Sequence, residues 1–485
     1  MKHFLLKICL LLLVPLIGTG FVACNDNTSD IPVEYIQSPK FHAEIRVKNV
    51  LSDGHSSRAA GPSTEDGIFE AFEHENHVYN ATIFFYRNDK GIQGEDNTKM
   101  DYAIYIPLFS SRKEGLDYYV YYTPQKIHSE EPIAKGIYHI LIVCNIGDKT
   151  SWKDTKTLGE IRNEVVAKSY LHNEGAALNE CHNFVMASSE DQTAEIGEFN
   201  LSTDPNYPNT NIIGLEAKVE RLAARIDFAP DQGVWKEDVA IGVAGSPIVN
   251  AYEYQVEGTT DDLFYLTSVV PVNLYNGNEY LIKRASRDDN PLNNQQRDYL
   301  TGETGNTNYV LDPLTLGTKT TAMYDNPLTD WYMGDNLAKI KECTSAYPVT
   351  KYDETKPTLF YEITENDNGT SVKQKYQVLA YTKENTILAG MSKEKYVTGL
   401  VFSGYYKRVE KNAGNAESVT WVPKSYVYYI RHNDPFNTSA EAVPMKYGIV
   451  RNHIYRIRLK SVSNLGIIFI EVVDWRLIKA PEIDM

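Results

Sequence analysis

Phe41-His42-Ala43-Glu44-Ile45-Arg46-Val47-Lys48 alternates apolar and polar residues without a break. Phe41, Ala43, Ile45 and Val47 fall on one side of an extended backbone, and His42, Glu44, Arg46 and Lys48 on the other. Successive side chains of a strand point to opposite faces, so this period of two predicts a half-buried β-strand. Further along, Val78–Tyr86, Tyr102–Pro107 and Tyr118–Tyr122 also read as strands. Gly136–Cys144 is almost continuously apolar, as in the centre of a sandwich. Asn368-Gly369 joins the strand-like runs 359–364 and 372–381, which is a hairpin signal. Tyr396–Ser403 and Tyr426–Ile430 add further strands. A chain rich in tyrosine, 34 of 485 residues, suits strands better than helices. The expected class is mainly β, with short strands and turns packed as β-sandwiches and few short helices. One amphipathic helix is predicted from Leu158 to Tyr170, where Leu158, Ile161 and Val165 recur at helical spacing behind capping residues Asp154 to Thr157.

Outside these strands, the N-terminus carries the clearest local signals. Lys2 and Lys7 form a basic start, and Phe4 to Val22 is otherwise apolar, broken by Pro15, Gly18 and Gly20. This reads as a signal peptide over residues 1–23. It ends in Phe21-Val22-Ala23-Cys24, which resembles a bacterial lipobox; lipid on Cys24 would anchor the chain to the outer membrane. Asn25 to Asp30 is a polar tether. Between the first strand and the rest lies Ser52 to Gly67, poor in apolar residues and rich in turn formers, with Arg58 as its sole Lys or Arg. An exposed loop of this kind is open to proteolysis. A trypsin-like, Arg-specific protease would cut between Arg58 and Ala59, separating lipid and first strand from everything after them. The propeptide is therefore read as residues 24–58. The domains are expected at 59–230, ending near the turn Pro230–Gly233, and at 231–485. Ser286 to Asn308 reads as an exposed insertion in the second of these.

The chain ends on a second strong strand signal. Arg451 to Lys460 alternates, and after a short break Ile467-Ile468-Phe469-Ile470-Glu471-Val472-Val473-Asp474-Trp475 is very apolar. A strand of this kind near a terminus needs a groove, in its own domain or in a neighbouring molecule. Arg451, Asn452 and His453 read as a strand entry held by structural hydrogen bonds.

Chemistry is sparse. There is no GxSxG elbow, no P-loop and no HExxH, since His74-Glu75-Asn76-His77 is one residue too short and reads as a pair of surface histidines. Glu365–Gly369 lacks the full spacing of a calcium loop and reads as a solvated hairpin. Cys144, Cys181 and Cys343 remain after Cys9 and Cys24, with no zinc spacing. Cys144 sits in an apolar run and is expected to pack as a small hydrophobe, and one disulfide is allowed. No catalytic residue, metal ligand or cofactor is predicted, and an enzyme is not expected. A net charge of −16 disfavours nucleic acid as a partner.

Asn80–Tyr86, Tyr138–Gly147, Thr157–Arg162, Phe184–Ala187, Val219–Phe228, Gly448–Tyr455 and Val472–Trp475 together resemble the fimbrillins of the Bacteroidales, the major (FimA-type) and minor (Mfa-type) subunits, and the minor, short-fimbria branch more closely. The likeness runs along nearly the whole chain and is loose from about 235 to 395. It implies two transthyretin-like β-sandwich domains, export as a lipoprotein, and removal of the N-terminal segment after an arginine. It also implies polymerisation by donor-strand exchange with other copies or related subunits. The removable strand would be Phe41, Ala43, Ile45 and Val47. The donor would be about 467–485, through Ile467, Ile468, Phe469, Ile470, Val472, Val473 and Trp475. Such a fibre would serve adhesion to a host or bacterial surface ligand that the sequence leaves unnamed. Other readings are a tip or anchor subunit of the same kind, or a lipid-anchored glycan-binding protein.

Overall fold

The computed structural model describes residues 33–37, 39–48, 72–87, 96–114, 118–123, 127–129, 131–171, 181–188, 192–197, 212–243, 245, 248–286, 297–299, 309–314, 318–328, 336–367, 370–388, 390–411, 417–431, 446–463 and 468–473. Its main strands fall into two large sheets. The first contains β1 (Lys40–Lys48), β2 (Ala81–Tyr86), β3 (Tyr102–Ile106), β4 (Ser110–Glu114), β5 (Tyr118–Tyr122), β6 (Gly136–Cys144), β7 (Met186–Ser188), β8 (Gln192–Ile196) and β9 (Ile212–Arg221). Their order is β3-β2-β6-β7-β9-β1-β5-β4, with β8 beside β6. Flat, the four steps from β2 to β1 would span about 19 Å. Yet the rings of Phe85 on β2 and Phe41 on β1 lie 6.0 Å apart. The sheet therefore folds over on itself and closes around a single core that includes Ile45, Ile83, Ile142, Met186 and Val219.

The second sheet follows the same logic. It comprises β10 (Ala224–Ala229), β11 (Val234–Ala240), β12 (Ile248–Glu257), β13 (Leu263–Val272), β14 (Phe360–Asp367), β15 (Thr370–Thr382), β16 (Gly399–Lys411), β17 (Glu417–Tyr429), β18 (Ile454–Ser463) and β19 (Ile468–Val473). The order is β14-β15-β10-β18-β12-β13-β16-β17, with β11 on β12 and β19 on β18. Phe228 and Phe402, again four strands apart in that order, meet at 5.8 Å. The chain is thus mainly β and built as two β-sandwiches, as its alternation predicts. It passes from the first sheet to the second at Leu222 and Ala223, between β9 and β10.

Five short helices accompany the sheets among the described residues: α1 (Glu73–Asn76), α2 (Trp152–Thr155), α3 (Leu158–Arg162), α4 (Leu337–Ala346) and α5 (Lys393–Tyr396). The helix predicted over 158–170 is corrected to α3. Thr157 caps it by accepting from the Glu160 amide, and Leu158 and Ile161 are buried as expected. The next turn is lost because Val165 and Val166 pair as a strand with Tyr280 and Glu279. That tertiary pairing outweighs a weak helical preference of β-branched residues. The predicted Asn-Gly hairpin is present, its strands pairing from Phe360 opposite Gln377 to Asp367 opposite Thr370. At the predicted insertion, Ser286 to Asn308, Arg297–Tyr299 joins the flanking Arg284–Ser286 and Tyr309–Val310 in a small three-stranded sheet. Cys144, Cys181 and Cys343 are all buried free thiols. Burial pushes the Cys181 thiol up to about 12, so it packs as an un-ionised group.

Candidate processing and assembly site

β1 is an internal strand. It runs parallel to β9 from the pair Lys40–Ile212 to the pair Val47–Val219. On its other edge it pairs antiparallel with β5, Glu44 opposite Tyr122 through Lys48 opposite Tyr118. Phe41, Ala43, Ile45 and Val47 are each 1% exposed or less. His42, Glu44 and Arg46 face outward, where Arg46 pairs with Glu216 of β9 at 2.8 Å. Thr123 fixes the strand further, its hydroxyl accepting from the Ala43 amide at 3.2 Å. The predicted removable stripe thus lies in the middle of the first sandwich. Cys24, Arg58 and Ala59 lie outside the described residues, as do Ile467 and Trp475. Ile468, Phe469, Ile470, Val472 and Val473 belong to β19, whose backbone pairs antiparallel with β18 of the same chain, Arg456 opposite Val473 through Val462 opposite Ile468.

Directly after the Arg58 stretch the chain is pinned. Glu75 of α1 is buried and accepts two hydrogen bonds from Nη1 of Arg225 on β10, at 2.7 and 2.9 Å. The same guanidinium reaches Asp227 through Nε and Nη2 at 2.9–3.1 Å. Tyr361 donates to Asp227 at 2.6 Å, and Tyr381 donates to Glu75. Phe72 lies under the guanidinium at 4.7 Å. Burial by itself raises the Glu75 carboxyl, but Arg225 and Arg221 outweigh it and hold the group below the usual carboxylate range. Asp227 goes the other way, raised by burial despite Arg225. Alternation places Arg225 and Asp227 on one face of β10, which is why one carries the other's counter-charge.

His74 and His77 are half-buried, a correction to their reading as surface residues. His74 stacks on Phe72 and faces the Tyr381 hydroxyl; His77 packs on Tyr79 and Tyr121. Burial lowers both rings' affinity for a proton. Among the described residues no cluster of His, Cys, Asp or Glu is arranged to hold a metal ion.

A second buried set joins the sandwiches at the strand entry predicted around Arg451. Arg451 is fully buried; its Nε meets Glu384 at 3.1 Å and its Nη2 meets the Tyr280 carbonyl at 2.7 Å. Asn452 Oδ1 accepts from the Arg221 amide at 3.3 Å. Glu279 accepts from the Glu384 amide and from Ser169. Desolvation pushes the Glu279 carboxyl up to about 8 even with Arg451 nearby. The carboxylates and guanidinium groups named in these sets are paired with one another or with backbone groups, as buried charges that hold a fold together must be.

The geometry defines a protein of two sandwiches in which an N-terminal strand completes the first and a C-terminal strand edges the second. Residues 424–480, from β17 past β19, match the family model described as Major fimbrial subunit protein type IV, Fimbrillin, C-terminal. That match covers the C-terminal part of the chain and includes the Gly448–Tyr455 and Val472–Trp475 stretches of the fimbrillin resemblance. No curated protein matches the chain. Among solved structures, it is similar to a candidate cell adhesion protein from Parabacteroides distasonis at 11% identity and TM-score 0.39, over 88% of this chain and 93% of that one. It is also similar to the tip fimbrial protein Mfa3 from Porphyromonas gingivalis, at 12% identity and TM-score 0.32, over 90% and 100%. A fimbrial assembly protein from P. distasonis gives 12% and 0.33 over the same shares. Identities and scores at this level carry no inference about function.

Proposed function

We propose that the chain is a fimbrial subunit, exported as an outer-membrane lipoprotein on Cys24 and cut after Arg58 by a trypsin-like protease. Loss of β1 then opens a groove between β9 and β5, and the C-terminal strand of the next copy, about 467–485, fills it. In this reading the mature protein is part of a cell-surface adhesive fibre of the short-fimbria kind and has no catalytic role. One observation carries the reading: the strand upstream of Arg58 is internal, and its apolar face is fully buried. Burying a Phe, an Ile and a Val contributes roughly 5–9 kcal/mol at about 1.5–3 kcal/mol each. That rivals the whole stability of an ordinary domain, about 5–15 kcal/mol. An emptied groove is therefore a high-energy state with two exposed strand edges, and adding a strand is the direct way to relieve it.

The test is limited trypsin treatment of the chain lacking residues 1–23, with N-terminal sequencing and electron microscopy. The proposal requires a new N-terminus at Ala59 together with fibres, the fibres being lost when 467–485 are deleted. A cut product that stays monomeric, or resistance at Arg58, sinks it.

A further inference from the structure

A cleft of about 610 Å³ opens on the second sandwich, and no residue of β1 or β19 is among those that line it. Its volume lies within the ~300–1,000 Å³ of ligand sites. Trp235 of β11 and Tyr252 of β12 form one wall, edge to face at 5.0 Å. Tyr352 and Phe360 form the other, again edge to face, at 5.7 Å. Phe228 and Tyr376 are buried beneath them.

The walls are fixed before any ligand arrives. Tyr252 donates to the Thr350 carbonyl at 2.8 Å, and the Thr350 hydroxyl reaches Gln377 at 3.1 Å. The Trp235 indole N–H is held by Glu237 at 3.0 Å. The turn below is clamped by Tyr254, which donates to the Pro230 carbonyl at 2.6 Å; a Cβ at Gly233 would lie 2.6 Å from that ring. Preorganised walls cost little to order on binding.

The charges select the ligand. Lys351, Lys373 and Lys375 line the cleft against Asp231, Asp353 and Glu354, so the lining is neutral in sum. All but Glu354 are also already engaged: Lys351 with Glu237, Lys373 with Glu362, Lys375 with Glu362 and, at 4.5 Å, with one face of the Tyr352 ring, Asp353 with Lys356, and Asp231 with Arg458. An ionic ligand would have to break these pairs. On the Trp235 wall a peptide strand lacks a clean edge to extend, because β11 carries a bulge between Lys236 and Val239, with Asp238 at φ +53°. What remains favoured is a neutral ligand with C–H faces to lie on aromatic rings, whose π faces attract positive edges, and hydroxyls to meet Lys, Asp and Gln side chains.

We propose that this cleft binds a neutral oligosaccharide, with Trp235 and Tyr352 as stacking platforms. The site is independent of strand exchange, and it is tested on the full, uncut chain, so either proposal can fail without the other. An array of immobilised neutral and acidic glycans is probed first, and retained glycans are then titrated in solution. The expected result is retention of neutral glycans, weakened about tenfold in Trp235→Ala and in Tyr352→Ala. Tyr352→Phe, which keeps the ring, should bind within a factor of about two to three. Trp235 also packs on the core, so Tyr352→Ala, with unchanged thermal unfolding, is the deciding variant. Retention of no glycan, of acidic glycans alone, or equally by wild type and Tyr352→Ala overturns the proposal.

Discussion

β1 and β19 are both terminal strands, yet the fold uses them in opposite ways. β1 is paired on both edges and seals a core with four buried side chains. β19 pairs, among the described residues, on one edge only, with the chain's own β18. Removing an internal strand takes away burial and two ladders together; removing a marginal one takes away one ladder. Strand exchange in the proposed direction follows from that inequality. The strand upstream of Arg58 vacates a deep groove, and the strand that fills such a groove gains more than it loses by leaving an edge.

The strongest way to break the comparison is to charge the buried stripe. Ile45→Asp in the uncut chain places a carboxylate in the first core with no cation facing it. A loss of more than about 4 kcal/mol is expected, enough to unfold the first sandwich, as read by urea denaturation. The control His42→Asp, on the outward face of the same strand, should stay within about 0.5–1 kcal/mol. Equal effects at both positions would remove β1 from the core.

Next is the anchor that stays behind. Cleavage after Arg58 leaves α1 attached to the second sandwich through Glu75 and Arg225. Glu75→Ala strips a buried guanidinium of one of its two carboxylates, and breaking such a pair from one side costs about 3–5 kcal/mol. Replacing Glu75, Arg225 and Asp227 together, as Glu75→Leu, Arg225→Met and Asp227→Asn, should recover part of that loss. A triple variant as damaged as the sum of the singles would show that the set does not act as a unit.

Much of this arrangement is legible in the sequence, because burial on one face leaves a local period. The stripe of β1, the apolar run of β6 and the hairpin at Asp367 and Thr370 all follow from neighbours in the chain. The position of β1 beside β9, some 170 residues away, does not, since no local pattern records a parallel partner. Nor does Glu75: a glutamate between two histidines looks solvated until Arg225 is placed over it. The spacing Arg225-x-Asp227 was available as a hint, because two opposite charges on one strand face need a common burial. Helix α4 was missed although Asn336 caps it and Ile340 and Cys343 recur on one side. The cleft between Trp235 and Tyr352 is assembled from strands distant in sequence and has no local signature.

A third contrast lies in pH, and its sign can be worked out at Glu279. The folded value is raised to about 8 from an ordinary value of 4.5, mainly by desolvation. Its contribution to stability is thus fully present below about 4.5 and is lost as pH rises through about 8. Glu279→Gln keeps a neutral hydrogen-bonding group. Between pH 5 and pH 8.5 wild type should therefore lose stability relative to Glu279→Gln, by about 1–3 kcal/mol once the coupling to Arg451 is allowed for. Parallel curves for the two proteins would place the proton elsewhere in the Arg451 set.

The smallest effect on folding is expected where the effect on assembly is largest. Deleting residues 468–485 removes the six-residue ladder of β19 but leaves Tyr455, Ile457 and Leu459 of β18 in the second core. Cross-strand pairs contribute about 0.2–1 kcal/mol each, so the uncut chain should lose roughly 1–3 kcal/mol and unfold at a slightly lower denaturant concentration. The same deletion should abolish fibres after trypsin, because the groove left by β1 would have no strand to receive. A peptide spanning residues 467–485, added to the cut and truncated subunit, should then bind and restore the stability lost with β1. If the truncated chain is as damaged as Ile45→Asp, β19 is an integral strand of its own domain, and the donor must be sought elsewhere.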